Sequence, residues 1–260
     1  MKVVQRRRAT TPARAAARAR RDLARMARPS MAFDASRYFR GAVDLGFFNV
    51  GSSRVRALAK EMYRTHRDVW SVDAALACAD ALIRDRHLEV KGAGIEMMAC
   101  YRHACGPRIL PSWKRWLARG NSANWATTDA ICGMLIGPLL VRHPSLASQM
   151  RGWARHRNMW VRRASAVSLI PLVRRGLALG LAYGVARTLH PDPEDLIQKA
   201  VGWMLREAGK TDARQLERYL RSNGARIPRV TVRYAIERFP PAKRRALLKA
   251  TKEGHEGRTL

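Results

Sequence analysis

An all-α fold is predicted for this chain of 260 residues, on three observations. From Phe33 onward apolar residues recur at helical spacing nearly everywhere, and nowhere do they alternate with the period of two that marks a half-buried strand. Turn and breaker residues divide those stretches into helix-sized pieces. Comparable features also return along the chain: Trp125 begins one helix, Arg163 lies in the first turn of another and Trp203 sits inside a third, at separations of 38 and 40 residues. That interval is close to the roughly 40–47 residues of HEAT and armadillo repeats, in which each helical pair buries its apolar face against its neighbours. The predicted architecture is an α-solenoid of HEAT-like helical repeats with a concave basic face.

The elements follow from the breakers in order. Residues 1–28 carry ten Lys or Arg against the single acid Asp22, with Ala at most other places. Such a segment is expected not to build a core, and residues 1–30 read as a flexible basic arm that would track phosphates. A mitochondrial transit peptide is the other reading of the same composition. Helices are predicted over 34–48 and 52–65 on either side of Gly51-Ser52-Ser53, then over 72–86 and over 91–104 before Gly106-Pro107. The next two, 110–119 and 125–142, are separated by Gly120-Asn121-Ser122, and His143-Pro144 ends the second. Helices over 145–156, 160–174 and 178–189 lead to His190-Pro191, and 193–209 and 212–222 lead to Asn223-Gly224. Helices over 228–238 and 241–251 flank Pro240-Pro241. Residues 31–252 thus form one helical-repeat domain, and 253–260 a tail.

Fifty Lys and Arg against twenty Asp and Glu give a formal charge of +30 at pH 7. An excess of that size repels itself in the compact state and is expected where the partner is a polyanion, whose released counterions drive association. Nucleic acid is the expected partner, and a solvated basic face is the plainer alternative. A protein-binding scaffold needs no such uniform charge. Apolar residues make up 47 % of the chain, enough for a sizeable core. The longest uncharged apolar run, Ala130 to Val141, is far short of the ~20 residues that a membrane-spanning helix needs, so no membrane partner is expected. Cys78, Cys100, Cys105 and Cys132 form no C-x-x-C pair and have no His at ligand spacing. They are expected to be small buried residues in a reducing compartment, with no metal site.

Three segments hold the residue types that chemistry needs. In Asn124-Trp125-Ala126-Thr127-Thr128-Asp129 the indole and the carboxylate are four apart and share a helix face. An indole face beside a carboxylate attracts cations; a core Trp with a solvated Asp is the plainer reading. In Asn158-Met159-Trp160-Val161-Arg162-Arg163-Ala164 a guanidinium is placed to clamp a phosphate, or to stand as a surface Arg. In Ile197-Gln198-Lys199-Ala200-Val201-Gly202-Trp203-Met204-Leu205-Arg206-Glu207 the glycine permits close backbone approach beside an indole that faces either core or ligand.

In this order, N-W-x-x-x-D, W-x-x-R-A and Q-K-A-x-G-W-x-L-R-E resemble the DNA alkylation repair enzyme family, the HEAT-like-repeat DNA glycosylases of the AlkD type. The resemblance covers residues 90 to 225 well. It implies excision of cationic N3- and N7-alkylated purines from duplex DNA without base flipping, with Asp129, Trp125 and Trp203 as catalytic residues. It further implies that Arg163 and its neighbour Arg162 bind DNA, together with Tyr38, which matches an aromatic near the family's N-terminus. No lysine is placed for a Schiff-base lyase, so a monofunctional hydrolase without cofactor is expected. It is expected to act as a monomer with no obligate protein partner, cytoplasmic and associated with the nucleoid. The competing reading is a non-catalytic HEAT-like protein that recognises DNA shape or damage, in which Asp129 is structural.

Overall fold

The structure, a computed structural model, describes residues 10–28, 39 and 44–252. Among them no β-strand is present, and the one isolated β-bridge is a parallel one between Gly46 and His87. The first helix, α1 (Pro12–Arg25), begins where the Thr11 side chain accepts the Arg14 N–H and Pro12 takes a position whose N–H has no partner in any helix. Its Ala15, Ala16, Ala19 and Leu23 are buried, while Arg14, Arg18, Arg21 and Arg25 point outward.

Residues 12–25 are thus a docked helix within the stretch expected to be a flexible arm. Alanine loses no rotamer freedom on burial and lets two helices approach closely, so a narrow face of small residues suffices to dock α1. Two polar ties reinforce it: Trp70 Nε1 donates to the Thr10 carbonyl at 3.1 Å, and Arg20 pairs with Asp85 at 2.7 Å.

The helix expected over 34–48 lies largely outside the described residues. Its described end, residues 44–48, is irregular, with Asp44 and Asn49 in the left-handed region at φ 60° and 55°. A buried carboxylate organises this stretch, for Glu89 accepts the N–H groups of Phe48 and Val50 at 3.1 and 3.2 Å.

The remaining helices stack in chain order. They are α2 (Ser52–His66), α3 (Val72–Ile83), α4 (Leu88–Cys100), α5 (Leu110–Ala118), α6 (Trp125–Ile131) and α7 (Gly137–Arg142). After these come α8 (Met150–Trp153), α9 (Met159–Val167), α10 (Ile170–Val173), α11 (Leu179–Leu189), α12 (Asp195–Thr211), α13 (Ala213–Asn223), α14 (Arg229–Ala235) and α15 (Pro241–Ala250). Helices α6 and α7 are one run joined by a π-helical turn, Cys132–Ile136. Pro138 has no N–H to return to the preceding turn, which is a local cause of that widening.

The core is continuous from Ala15 through Ile95, Trp113, Leu139, Val161 and Leu205 to Leu247. Ion pairs Arg56 to Glu96, Arg163 to Asp129, Arg174 to Glu207 and Arg162 to Asp192 span 30 to 40 residues, so they tie each unit to the next. The fold is an all-α solenoid. Cys78, Cys105 and Cys132 are buried and all four cysteines are free. Burial pushes the thiols of Cys78 and Cys132 up to about 12 and that of Cys105 up to about 11, which leaves them unreactive near neutral pH.

Candidate active site

Two asparagines place the central pair. Asn124 caps α6 by accepting the Thr127 N–H at 2.8 Å, which makes Trp125 the first helical residue and puts Asp129 one turn further on the same face. Asn158 caps α9 in the same way, accepting the Trp160 N–H at 2.8 Å, and its amide donates to the Ala118 carbonyl at 3.2 Å. That second bond fixes α9 against the unit before it. Arg163 then faces Asp129: its Nε and Nη2 donate to the two carboxylate oxygens at 2.8 and 2.7 Å. Nη1 donates to the Leu196 carbonyl at the start of α12. One guanidinium therefore bonds to groups on both α6 and α12.

These residues share an open cleft of about 710 Å³, lined among others by Trp125, Asp129, Arg163, Lys199, Trp203 and Tyr234. Trp125 is 37 % exposed and Trp203 half-buried. The Asp129 side chain keeps 17 % of its surface. Burial raises its carboxyl above the usual carboxylate range, while the hydrogen bonds and charge of Arg163 pull it back down.

Lys199, Trp203 and Arg206 recur at helical spacing along the cleft face of α12. Lys199 pairs with Asp195 at 2.6 Å, and that bond raises its ammonium above the ordinary value. Arg206 pairs with Glu237 and reaches Glu207 at 3.4 Å. Burial works against the Glu207 carboxylate, but bonds from Lys210 and Arg174 outweigh it and hold it below the usual range.

A second cavity, of about 590 Å³, is lined by apolar groups such as Val55, Ile95 and Met134. Its carboxylates are already engaged, Glu89 by the backbone as above and Glu96 by Arg56 at 3.3 Å. The cleft is therefore the candidate. Among the described residues, no three His, Cys, Asp or Glu converge to hold a metal ion, and no helix is long and apolar enough to cross a membrane.

Trp125, Asp129, Arg163 and Trp203, singled out in the sequence, meet in this one cleft. Arg163, expected to hold a phosphate, is 5 % exposed, and its guanidinium is turned to Asp129. Arg162, also expected to bind DNA, points elsewhere. It does not line the cleft; its Nε bonds Asp192 at 2.6 Å, and Nη1 donates to the carbonyls of His156 and Arg157 at 3.0 and 2.9 Å. Consecutive helical residues diverge by about 100° around the axis, which is why the two arginines meet different partners.

Tyr38 lies outside the described residues, but its neighbour Phe39 stacks on Trp125 with centroids 5.4 Å apart and planes 12° from parallel. The sequence reading also missed Lys199 and Tyr234. Lys199 stands in a quoted motif, and its helical spacing to Trp203 was a usable signal.

Fold and site together define an α-solenoid that brings one carboxylate, its arginine and two indoles into a single cleft. The family model for the DNA alkylation repair enzyme matches residues 19–239, and the chain belongs to that family. A solved structure described as a predicted DNA alkylation repair enzyme from Enterococcus faecalis is similar, with a TM-score of 0.71 at 17 % identity. The similarity covers 83 % of this chain and 98 % of that one, and it bears on the fold. No curated protein matches in sequence. Family membership supports a role in DNA alkylation repair, with DNA as the partner.

Proposed function

We propose that this protein is a DNA glycosylase that hydrolyses the N-glycosidic bond of cationic N3- and N7-alkylated purines in duplex DNA and leaves an abasic site. The observation that carries the reading is the Asp129 carboxylate, held in a bidentate fork by Arg163 in a cleft that also bears Trp125 and Trp203.

An alkylated purine already bears positive charge, so the C1′–N bond can break with its electron pair passing to a base that leaves neutral. No general acid is needed. Positive charge moves to the sugar, giving an oxocarbenium-like transition state. A carboxylate fixed beside C1′ stabilises that charge more than it stabilises the ground state. Arg163 occupies one direction at each Asp129 oxygen, and the remaining lone pairs can face the sugar and the attacking water. Water then adds to C1′ and gives up its proton through Asp129 to solvent.

The indoles pack around the deoxyribose, with a cation–π contribution of about 0.5–2 kcal/mol. Because carboxylate and exposed indole act at the sugar, the base is expected to remain stacked rather than be extruded. The enzyme is monofunctional in this reading. Lys199 does line the cleft, but its bond to Asp195 favours the charged ammonium, a poor nucleophile. The protein is expected to act as a monomer on cytoplasmic, nucleoid DNA without an obligate protein partner.

One observation favours a second reading, a non-catalytic DNA-binding solenoid: the bidentate bond that orients Asp129 is also how a purely structural carboxylate is held. Incubation with duplex DNA bearing 7-methylguanine separates the two. Free base is expected from the wild type, and Asp129→Asn is expected to slow its release by about 10²–10³-fold. Equal release from the variant removes Asp129 from the mechanism. No release of any cationic base by the wild type leaves the binding reading.

A further inference from the structure

Helices α12 and α14 come together at Gly202. A Cβ there would stand 2.5 Å from Tyr234 Cβ and 2.8 Å from the Thr231 carbonyl oxygen, so only glycine allows this approach. One turn earlier the Thr231 hydroxyl donates to the Gln198 carbonyl at 2.9 Å. Thr231, Val232 and Ala235 are the buried residues of α14 and dock it.

Tyr234 stands 37 % exposed beside the face that carries Lys199, Trp203 and Arg206. Among the described residues the exposed large apolar side chains are Val69, Trp125, Leu177 and Tyr234, and two of these, Trp125 and Tyr234, line the same cleft. Aromatic surface left open where a polyanion is read with its bases and sugars suits stacking rather than packing. Tyr234 and Lys199 line the same cleft, so a ring, a hydroxyl and an ammonium border it together.

We propose that Tyr234 is a substrate-contacting residue: its ring packs on the sugar and base of a nucleotide beside the lesion, and its hydroxyl joins Lys199 in holding that nucleotide's phosphate. This rests on reading the cleft as the place where alkylated DNA is held. Gly202 then has a functional consequence, because it sets how closely Tyr234 approaches Trp203.

The test compares wild type, Tyr234→Phe and Tyr234→Ala in three measurements: affinity for a duplex carrying a tetrahydrofuran abasic analogue, single-turnover release of 7-methylguanine, and thermal midpoint. Tyr234→Ala is expected to bind about tenfold more weakly, the size of one base–aromatic contact, with its midpoint and salt dependence unchanged. Tyr234→Phe, which keeps the ring, is expected to lose no more than about threefold. Affinity of Tyr234→Ala within about twofold of wild type overturns the proposal, as does a weakening matched by a fall in thermal midpoint. If the wild type binds the duplex but releases no base, the glycosylase reading fails, and the affinities still decide whether Tyr234 touches DNA.

Discussion

Arg162 and Arg163 are neighbours on one helix, each bonded to an aspartate about one repeat away, and their surroundings differ. Around Arg162 every partner is protein. Asp192 is 9 % exposed, it also accepts the Glu194 N–H at 3.1 Å, and two loop carbonyls take the remaining guanidinium donors. That pair closes the junction between α9 and the α11–α12 loop. Around Arg163 the protein supplies fewer partners, and the pair opens on a cleft with Trp125 and Trp203. Ion-pair geometry alone therefore does not mark a functional carboxylate. What marks it is the surface left over after the pair has formed, and the groups that share that surface.

The largest contrast is expected from removing each arginine in turn. Arg163→Ala leaves Asp129 buried without its partner and cuts the tie to Leu196. Release of 7-methylguanine is expected to fall about 10²-fold near neutral pH, and stability by about 3 kcal/mol. Arg162→Ala strands Asp192 in the same way and is expected to cost a similar ~3 kcal/mol, yet folded protein should release base within about twofold of wild type. Denaturant melts and single-turnover rates on both variants separate stability from chemistry. Equal loss of rate in both would make the two pairs equivalent and refute the distinction.

A pH profile sharpens the same contrast. In the proposed mechanism release needs Asp129 ionised, and burial raises its carboxyl in the folded protein while Arg163 lowers it. Because the net shift is upward, the rate is expected to fall with decreasing pH through a midpoint above the ordinary aspartate value of 3.8. Removing Arg163 removes both opposing influences, so the midpoint in Arg163→Ala should move higher still, and part of its lost rate should return as pH rises. In Arg162→Ala the midpoint should stay where it is. A profile that is flat through the acid range in the wild type would take Asp129 out of the rate-limiting step.

How much of this was legible in the sequence depended on the range of the interaction. Trp125 and Asp129 were readable because capping by Asn124 and the four-residue interval are local rules. Most helices from Ser52 onward were readable for the same reason. The one expected over 145–156, however, is a 3₁₀ segment, Pro144–Gln149, followed by the short α8, and the one expected over 160–174 divides into α9 and α10. Arg163 was found but assigned to phosphate, since a partner 34 residues away cannot be read from spacing when several acids lie at similar intervals. Helix α1 was missed because arginine-rich composition suggested an arm, and the burial of Ala15, Ala16 and Ala19 depends on α3 and α4 being there to meet them. Tyr234 was missed because its place in the cleft is set by Gly202 on another helix; a glycine inside the otherwise regular α12 was the only local sign of that approach.

The smallest effect is expected at Lys199, and it decides which cation meets the backbone of DNA. With Arg163 turned to Asp129 and Arg162 outside the cleft, Lys199 is the lining cation with the most exposed side chain, 39 % of it being open. Its partner Asp195 is 61 % exposed, and a surface pair of that kind is worth at most about 1 kcal/mol, so exchange of Asp195 for a phosphate is easy. Lys199→Ala should therefore leave the thermal midpoint unchanged, weaken binding to every duplex alike, and lower the slope of log affinity against log salt by about 0.9, the value of one phosphate contact. Arg163→Ala, measured beside it, should weaken binding without changing that slope. If the slope falls in Arg163→Ala and not in Lys199→Ala, the guanidinium must leave Asp129 when DNA arrives, and the fork seen without DNA is the resting arrangement of a residue that exchanges its partner during binding.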